Sequence, residues 1–154
     1  MTRAKRLAKQ IERTVTGPMW HGPALANVLE GVTHDQAAQR PIGSAHCIWE
    51  IVLHVAVWAE VARARLQGQR TGDPTPEEDW PPVGSVDLDE WRLAIERLGM
   101  SHRLLADATR DMTDAALEAN VRGLDYSVEI LLDGVVEHGT YHGGQIMMLR
   151  KALG

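Results

Sequence analysis

The sequence predicts an all-α fold: four long helices in a bundle, joined by short helical turns and one long crossover loop. Apolar residues recur at helical spacing, and no stretch alternates as a strand would. Glycine and proline fall between the apolar segments, where helices are expected to end. With 154 residues and 44% hydrophobic content, the chain is long enough to bury one core. We therefore expect a single domain over residues 1–154.

The first long helix is predicted over residues 2–15. The Gly17-Pro18 pair interrupts it, and helical character resumes from Pro23, a favourable first-turn residue, to about residue 30. Thr33 and Gln36 are spaced as a capping box, which indicates a short helical turn that ends before the next proline.

The second long helix is expected to start at a Ser44 cap and to end near Gly68. Trp49 and Val57 lie off its main apolar face, so the helix is apolar on most sides. Such a helix belongs in the middle of a bundle or at a subunit interface. Its main apolar face holds Ile48, Ile51, Val52, Val55, Ala59, Ala62 and Leu66.

Residues 68–86 form a loop that holds four of the seven prolines and is long for a compact domain. Trp80 within it indicates docking on another surface, although the sequence does not decide whether the loop is a lid. A third helix is predicted over residues 87–111. Thr113 is expected to cap a short turn before a final helix over residues 127–153.

Composition narrows the compartment and the partners. Residues 1–16 carry five basic residues and one acidic residue, but the whole chain has a net charge of −5. The basic residues are best interpreted as the solvated face of an amphipathic helix, so no nucleic-acid partner is expected. Cys47 is the single cysteine, and neither a signal peptide nor a membrane span is recognisable. These features predict a cytoplasmic protein with no membrane partner.

The last helix carries His138 and His142 one turn apart on its apolar face. Buried imidazoles need hydrogen-bond partners or a metal ion, because an unpaired buried polar group costs roughly 1–3 kcal/mol. Two separately hydrogen-bonded core histidines are the alternative to a metal site. The spacing and the shared face favour the metal. The same face holds Leu131, Val135, Gln145, Ile146, Leu149 and Leu153.

A metal site of this kind needs a third ligand from a facing helix, and His54 in the second helix is the best candidate. A histidine at the edge of an apolar face is otherwise usually a hydrogen-bonded core residue. Gly139 follows His138 where a zincin peptidase has its glutamate, which argues against a peptidase. Four glycines of the last helix are expected to allow close helix contact or room beside the ion, namely Gly134, Gly139, Gly143 and Gly144.

Four segments together resemble the DinB/YfiT-like superfamily of metal-dependent four-helix bundles: WHGPAL at 20–25, IWEIVLHVAVW at 48–58, EDWPP at 78–82 and EHGTYHGGQI at 137–146. The resemblance implies a divalent metal ion, nickel, zinc or similar, held by His54, His138 and His142. It also implies transfer of a low-molecular-weight thiol cosubstrate to an electrophile, or metal-dependent hydrolysis, and a homodimer.

Three functions stay open at this stage. Thiol transfer to a small-molecule substrate is preferred because no acidic residue occupies the position beside the histidines where a hydrolase would have its general base. Hydrolysis by metal-bound hydroxide is the second, since Glu50 could reach back one turn. A non-catalytic stress-response bundle that binds metal is the third.

Several other side chains are candidates for lesser roles. The family resemblance implies that His21 lies near the pocket mouth, although it is equally well interpreted as a helix-cap histidine, and Tyr141 and Gln145 are candidate donors to a metal-bound ligand. Cys47 is interpreted as a small buried hydrophobe rather than a nucleophile. His102 is expected either to line the pocket or to be a hydrogen-bonded core residue, and the core is favoured. His34 and His46 are expected at the surface.

Overall fold

The computed structural model describes all residues from 1 to 154 and contains eight helices and no strand, which confirms the all-α class. Four helices are long and form the bundle, while the other four are single turns between them. The helices are α1 (Arg3–Thr16), α2 (Leu25–Leu29), α3 (His34–Ala38), α4 (Ile48–Leu66), α5 (Pro76–Asp79), α6 (Leu88–Thr109), α7 (Asp114–Glu118) and α8 (Val128–Leu153).

Helices α4 and α6 are neighbours and run parallel. Trp49 packs against Trp91 near the start of both helices, and further along both Glu60 accepts hydrogen bonds from Arg97. Two parallel neighbours cannot be joined by a tight turn, so the chain between them must return along the length of the bundle. The segment 67–87, which contains α5, makes this crossover.

Helix α8 runs antiparallel to α4 and lies beside α1. Arg65 near the end of α4 donates to Tyr126, which immediately precedes α8, whereas His54 in the middle of α4 meets His138 in the middle of α8. Helix α1 contacts α6 on its other side. The histidine-bearing faces of α4 and α8 are thereby opposed.

The predicted caps at Thr33 and Thr113 are confirmed, since each side chain accepts a backbone N–H of the turn that follows. Asp87 and Ser127 cap α6 and α8 in the same way. The prediction of Ser44 as the cap of α4 is wrong, because the helix begins only at Ile48. Its cap residue is Cys47, whose N–H donates to the Glu50 carboxylate at 3.0 Å, so a side chain inside the helix caps it.

The apolar core is divided into two clusters with a polar layer between them. One cluster surrounds Trp49, Leu98 and Ile146, and the other surrounds Leu7, Leu105 and Leu132. Each long helix contributes a polar residue to the boundary. These polar-layer residues are Thr14 of α1, His54 of α4, His102 of α6, and His138 and His142 of α8.

Gly139 allows α1 and α8 to approach closely in this layer. A Cβ atom at this position would overlap Cγ2 of Thr14, whose hydroxyl is fixed by donation to the Gln10 carbonyl. A Cβ atom added at Gly143 would only touch Leu25, and one added at Gly134 or Gly144 would meet open space. Of the two reasons expected for the glycines, close helix contact therefore applies to Gly139.

His102 is a core residue, as expected. Only 1% of it is exposed, and its Nδ1–H donates to the Leu98 carbonyl at 2.9 Å. Its Nε2 has no partner in the fold. Burial lowers the pKa of His102 from 6.5 to about 4, because a buried imidazolium would lose its hydration.

Some basic residues of α1 form ion pairs and hydrogen bonds with other parts of the same chain. Arg3 pairs with Glu118 and Glu129, and the Arg13 side chain donates to the Pro18 carbonyl. None of the helices combines the length and the apolar character needed to span a bilayer.

We expect Gly139→Ala to lower the free energy of unfolding by about 1–3 kcal/mol, because the added methyl group must displace a β-branched side chain that is held by a hydrogen bond. Gly144→Ala is the matched control in the same helix and should raise stability by up to about 1 kcal/mol through helix propensity. Urea unfolding followed by circular dichroism measures both. Equal effects of the two substitutions would contradict the close contact at Gly139.

We expect His102 to make stability pH-dependent in mildly acidic solution. Its folded pKa is depressed, so below pH 6.5 the unfolded chain binds a proton that the folded chain refuses until about pH 4. The contribution of His102 to the free energy of unfolding should fall by about 1.4 kcal/mol for each unit by which the pH is lowered across that window. His102→Gln should show a shallower loss than wild type in urea unfolding from pH 7 to pH 4, whereas parallel curves would contradict the assignment.

Candidate metal centre

The side chains of His54, His138 and His142 converge at the middle of the bundle. Nε2 of His138 lies 2.9 Å from Nε2 of His54 and 3.1 Å from Nε2 of His142. One nitrogen from each of the three histidines can be chosen so that all lie within 4.8 Å of one another. Three imidazole donors at this spacing can hold one metal ion.

Hydrogen bonds on the far side of two rings orient these nitrogens. Nδ1–H of His54 donates to the Asp79 carbonyl at 2.8 Å, and the Asp79 carboxylate lies 3.1 Å from the same nitrogen. Nδ1–H of His142 donates to Oε1 of Gln145 at 2.7 Å. Both rings, when neutral, then carry a lone pair on Nε2. At most one proton, from His138, is available for the two contacts between the rings.

The three imidazoles are held neutral. Burial lowers the pKa of His138 to about 3 and that of His142 to about 4, and the neighbouring imidazoles add to both shifts. Burial also lowers the pKa of His54, although Asp79 opposes the shift. Neutral imidazole is the form that binds metal, so the ligand atoms need no deprotonation near neutral pH. Three neutral nitrogen donors suit zinc, nickel and similar ions.

The crossover loop supplies the outer layer of this centre. The carboxylate of Asp79 accepts a hydrogen bond from the indole N–H of Trp58 at 2.7 Å. The backbone carbonyl of Asp79 accepts from His54. Trp80 stacks between two imidazoles, with ring centroids 3.8 Å from His54 and 3.6 Å from His46. The expectation that Trp80 docks on another surface is confirmed. That surface is the ring face of His54, a candidate metal ligand.

Two cavities meet at the centre, along the groove between α4 and α8. The first has a volume of about 440 Å³ and extends from His54 and His138 toward the end of α4. The second has a volume of about 670 Å³ and extends from His54 and His142 toward the end of α8. His54 is the one residue that lines both cavities. We call them the Arg65 chamber and the Trp80 chamber, after a residue that lines each.

The candidate residues other than the three histidines are placed differently. Tyr141 is 64% exposed, and together with Gln145 it lines the Trp80 chamber, where the Gln145 amide donates to its hydroxyl at 3.1 Å. Glu50 binds Arg40, His46 and the N–H of Cys47 and lines neither chamber.

His21 is exposed before α2 and also lines neither chamber. Its predicted role near a pocket mouth stays a prediction. Cys47 is buried in the apolar core, where burial raises the pKa of its thiol. Its interpretation as a small buried hydrophobe is thus confirmed. His46 is exposed as expected, but its ring also lines the Trp80 chamber.

Sequence reasoning missed Asp79 and the stacking of His46. The only signal was an acidic residue next to a tryptophan in the middle of a proline-rich loop, in the segment EDWPP. A loop has no periodicity from which the direction of its side chains can be read.

Comparison with known proteins gives a family. The family model described as DinB superfamily matches residues 20–146, which include all three histidines and the crossover loop. Searches of curated proteins and of solved structures returned no match. The match spans most of the chain and agrees with the four-helix architecture and the three-histidine cluster, and the chain therefore belongs to the DinB superfamily.

Proposed function

We propose that this protein is a metal-dependent enzyme that transfers a low-molecular-weight thiol to an electrophilic small molecule. The observation that carries the proposal is the convergence of three neutral Nε2 atoms from His54, His138 and His142 on one point. These residues would hold a divalent cation such as zinc or nickel. Such a cation, when bound, lowers the pKa of a thiol or a water so that it ionises near neutral pH.

The surrounding residues keep the ligand set in place. Asp79 holds the His54 ring through Nδ1–H, and Trp80 covers the face of that ring. Gln145 holds His142 in the same tautomer and is itself bound to Tyr141. Partners of this kind fix the orientation of metal-binding histidines and raise the affinity of the site. Tyr141 and Gln145 are the side chains best placed to contact a reactant in the Trp80 chamber.

Transfer is favoured over hydrolysis because Glu50 and Asp79, the carboxylates considered as a general base, already form hydrogen bonds within the fold. Glu50, the general base considered from the sequence, is bound to Arg40, His46 and Cys47, and these bonds lower its pKa. Oδ1 of Asp79 accepts from the Trp58 indole and lies 3.1 Å from Nδ1 of His54. A thiol that ionises at the metal needs no such base, whereas hydrolysis gains from one.

The two chambers also support a reaction with two organic reactants. Each chamber reaches the centre, and together they allow a thiol and an electrophile to meet at the histidines from different sides. The third possibility, a bundle that binds metal without catalysis, offers no reason for two cavities of this size at the ligands.

The homodimer implied by the family resemblance stays part of the proposal. Leu93, Met100 and Leu104 form an exposed apolar stripe at helical spacing on α6, a surface that fits a second copy, and sedimentation analysis tests it.

We expect wild-type protein, purified without a histidine tag, to hold close to one equivalent of zinc or nickel. His54→Ala, His138→Ala and His142→Ala should each lose most of it, because each removes one of three ligands. The metal-loaded protein should conjugate small thiols to 1-chloro-2,4-dinitrobenzene, with sulfur bonding to carbon, chloride leaving and the thiol proton passing to solvent. Elemental analysis measures the metal content, and absorbance measures the rate of thiol conjugation.

His102→Gln is the control for this experiment, since it alters a buried histidine of the same layer outside the ligand set. A wild-type protein that cannot be loaded with metal would overturn the proposal. Metal binding with ester hydrolysis and no thiol conjugation would favour the hydrolase instead.

We expect Asp79→Asn to weaken metal binding about 10- to 100-fold without unfolding the bundle, because the substitution keeps the shape and removes the charge that supports His54. Competition with a chromophoric chelator measures the metal dissociation constant. Glu78→Gln is the matched control, because Glu78 is adjacent but pairs with Arg70 away from the centre. Equal affinities of the two variants would show that Asp79 does not support the site.

A further inference from the structure

The Arg65 chamber has a cationic end that the proposed reaction does not yet use. Arg65 is only 4% exposed although it carries a full charge. It is the one lysine or arginine that lines either chamber. Burying a guanidinium is costly unless its N–H groups are paired, so its partners indicate what the position is built for.

The fold satisfies Arg65 only in part. Nη1 donates to the Tyr126 hydroxyl at 2.9 Å, and Nη2 donates to the Asp73 carboxylate at 2.6 Å and to the Gly72 carbonyl at 3.3 Å. Nε is buried and has no partner. The hydroxyl hydrogen of Tyr126 has no acceptor in the chain either. The Tyr126 hydroxyl hydrogen is thus a donor left over on a residue that lines the chamber, next to the buried charge of Arg65.

The internal counter-ion of Arg65 lies at the surface. The side chain of Asp73 is 80% exposed and belongs to the crossover loop, so its carboxylate keeps most of its hydration. Asp73 does not line the chamber. An acceptor inside the chamber would meet Arg65 in a less hydrated environment, where a charge-assisted hydrogen bond is stronger.

The wall between Arg65 and the histidines is apolar. Cζ of Arg65 lies 5.7 Å from the ring centroid of Trp58, and the Trp58 ring lies 6.1 Å from that of His138. The exception is the carboxylate of Asp79, whose Oδ1 accepts from Trp58 and lies 3.1 Å from Nδ1 of His54. Ile130, Leu131 and Val135 complete the lining. The chamber thus offers a metal-binding end, an apolar middle and a cationic end.

We propose that Arg65 and Tyr126 bind a carboxylate of the thiol substrate, so that the Arg65 chamber holds a thiol acid and the Trp80 chamber holds the electrophile. This inference rests on the proposed function. The thiol group lies at His54 and His138, its apolar chain passes Trp58, and its carboxylate lies at the cationic end, where it accepts from the Tyr126 hydroxyl beside Arg65. The Trp80 chamber is lined by no aspartate, glutamate, lysine or arginine, which suits an uncharged electrophile.

The test compares 6-mercaptohexanoic acid with 6-mercaptohexanamide by calorimetric titration of the metal-loaded protein. The two ligands share the thiol and the chain and differ in charge at the far end. Wild type should bind the acid at least about tenfold more tightly than the amide, as expected for hydrogen bonds to a charged group. Arg65→Met should bring the ratio close to one. Arg63→Met, on the same helix but outside the chamber, should leave it unchanged.

Two further variants keep the test decisive if Arg65→Met does not fold. Tyr126→Phe removes one donor and should lower the acid-to-amide ratio several-fold. Asp73→Asn should raise the ratio, because it removes the counter-ion of Arg65 and leaves the charge of the guanidinium to the ligand. A residue that only anchored the loop would give no change of the ratio in either variant, and that result would overturn the inference.

Equal affinities of wild type for the acid and the amide would also overturn it, while leaving metal binding and thiol conjugation intact. If wild type holds no metal, the proposed function fails separately. Hexanoic acid and hexanamide then repeat the comparison on the metal-free protein, where a preference for the acid would still support the carboxylate site and equal binding would remove it.

Discussion

The structure depends on a layer of polar side chains placed across the middle of an apolar bundle. Three imidazole nitrogens face one another there with at most one proton for the two contacts, so at most one contact is a well-formed N–H···N hydrogen bond. Each unsatisfied buried group costs roughly 1–3 kcal/mol, and the two apolar clusters on either side must supply that stability. A divalent cation would bond to one lone pair from each of the three rings. The polar layer that costs the bundle stability is therefore also the layer that provides the candidate metal ligands.

The order of the helices determines what surrounds this layer. Because α4 and α6 are parallel neighbours, the crossover must travel back along the bundle, and it passes the middle of α4 on its way. Proline and the Thr75 cap form a short turn, α5, that ends at Asp79. Asp79 and Trp80 then lie against His54 from two directions, through its Nδ1 and over its ring face. A loop that would otherwise only connect two helices thus becomes part of the centre.

Much of this arrangement could be predicted from the sequence, and the exceptions have physical reasons. Helical periodicity placed His138 and His142 on the buried face of α8, and the need for a facing ligand selected His54.

The cap of α4 was misplaced because Glu50 caps the helix from within, which a search for a preceding serine does not reveal. The four glycines of α8 look alike in sequence, and only the position of Thr14 on another helix distinguishes Gly139. Asp79 was missed because a non-periodic loop gives no information on where its side chains point.

The charge of the ligand set bears on the chemistry. Three neutral imidazoles leave the charge of a bound divalent cation uncompensated, and burial keeps them neutral through pKa values of about 3 for His138 and about 4 for His142. The nearest carboxylate, Asp79, lies behind His54 on the side away from its Nε2, so its charge acts through the ring and not directly at the ligand atoms. A cation with this little neutralisation most strongly favours the ionisation of a weak acid bound to it. A thiol, with an ordinary pKa near 8.5, needs a smaller shift than water to ionise at neutral pH. The electrostatics of the centre therefore suit a thiol nucleophile, and the apolar walls beside it suit a reactant that carries its own polar group at a distance from the sulfur.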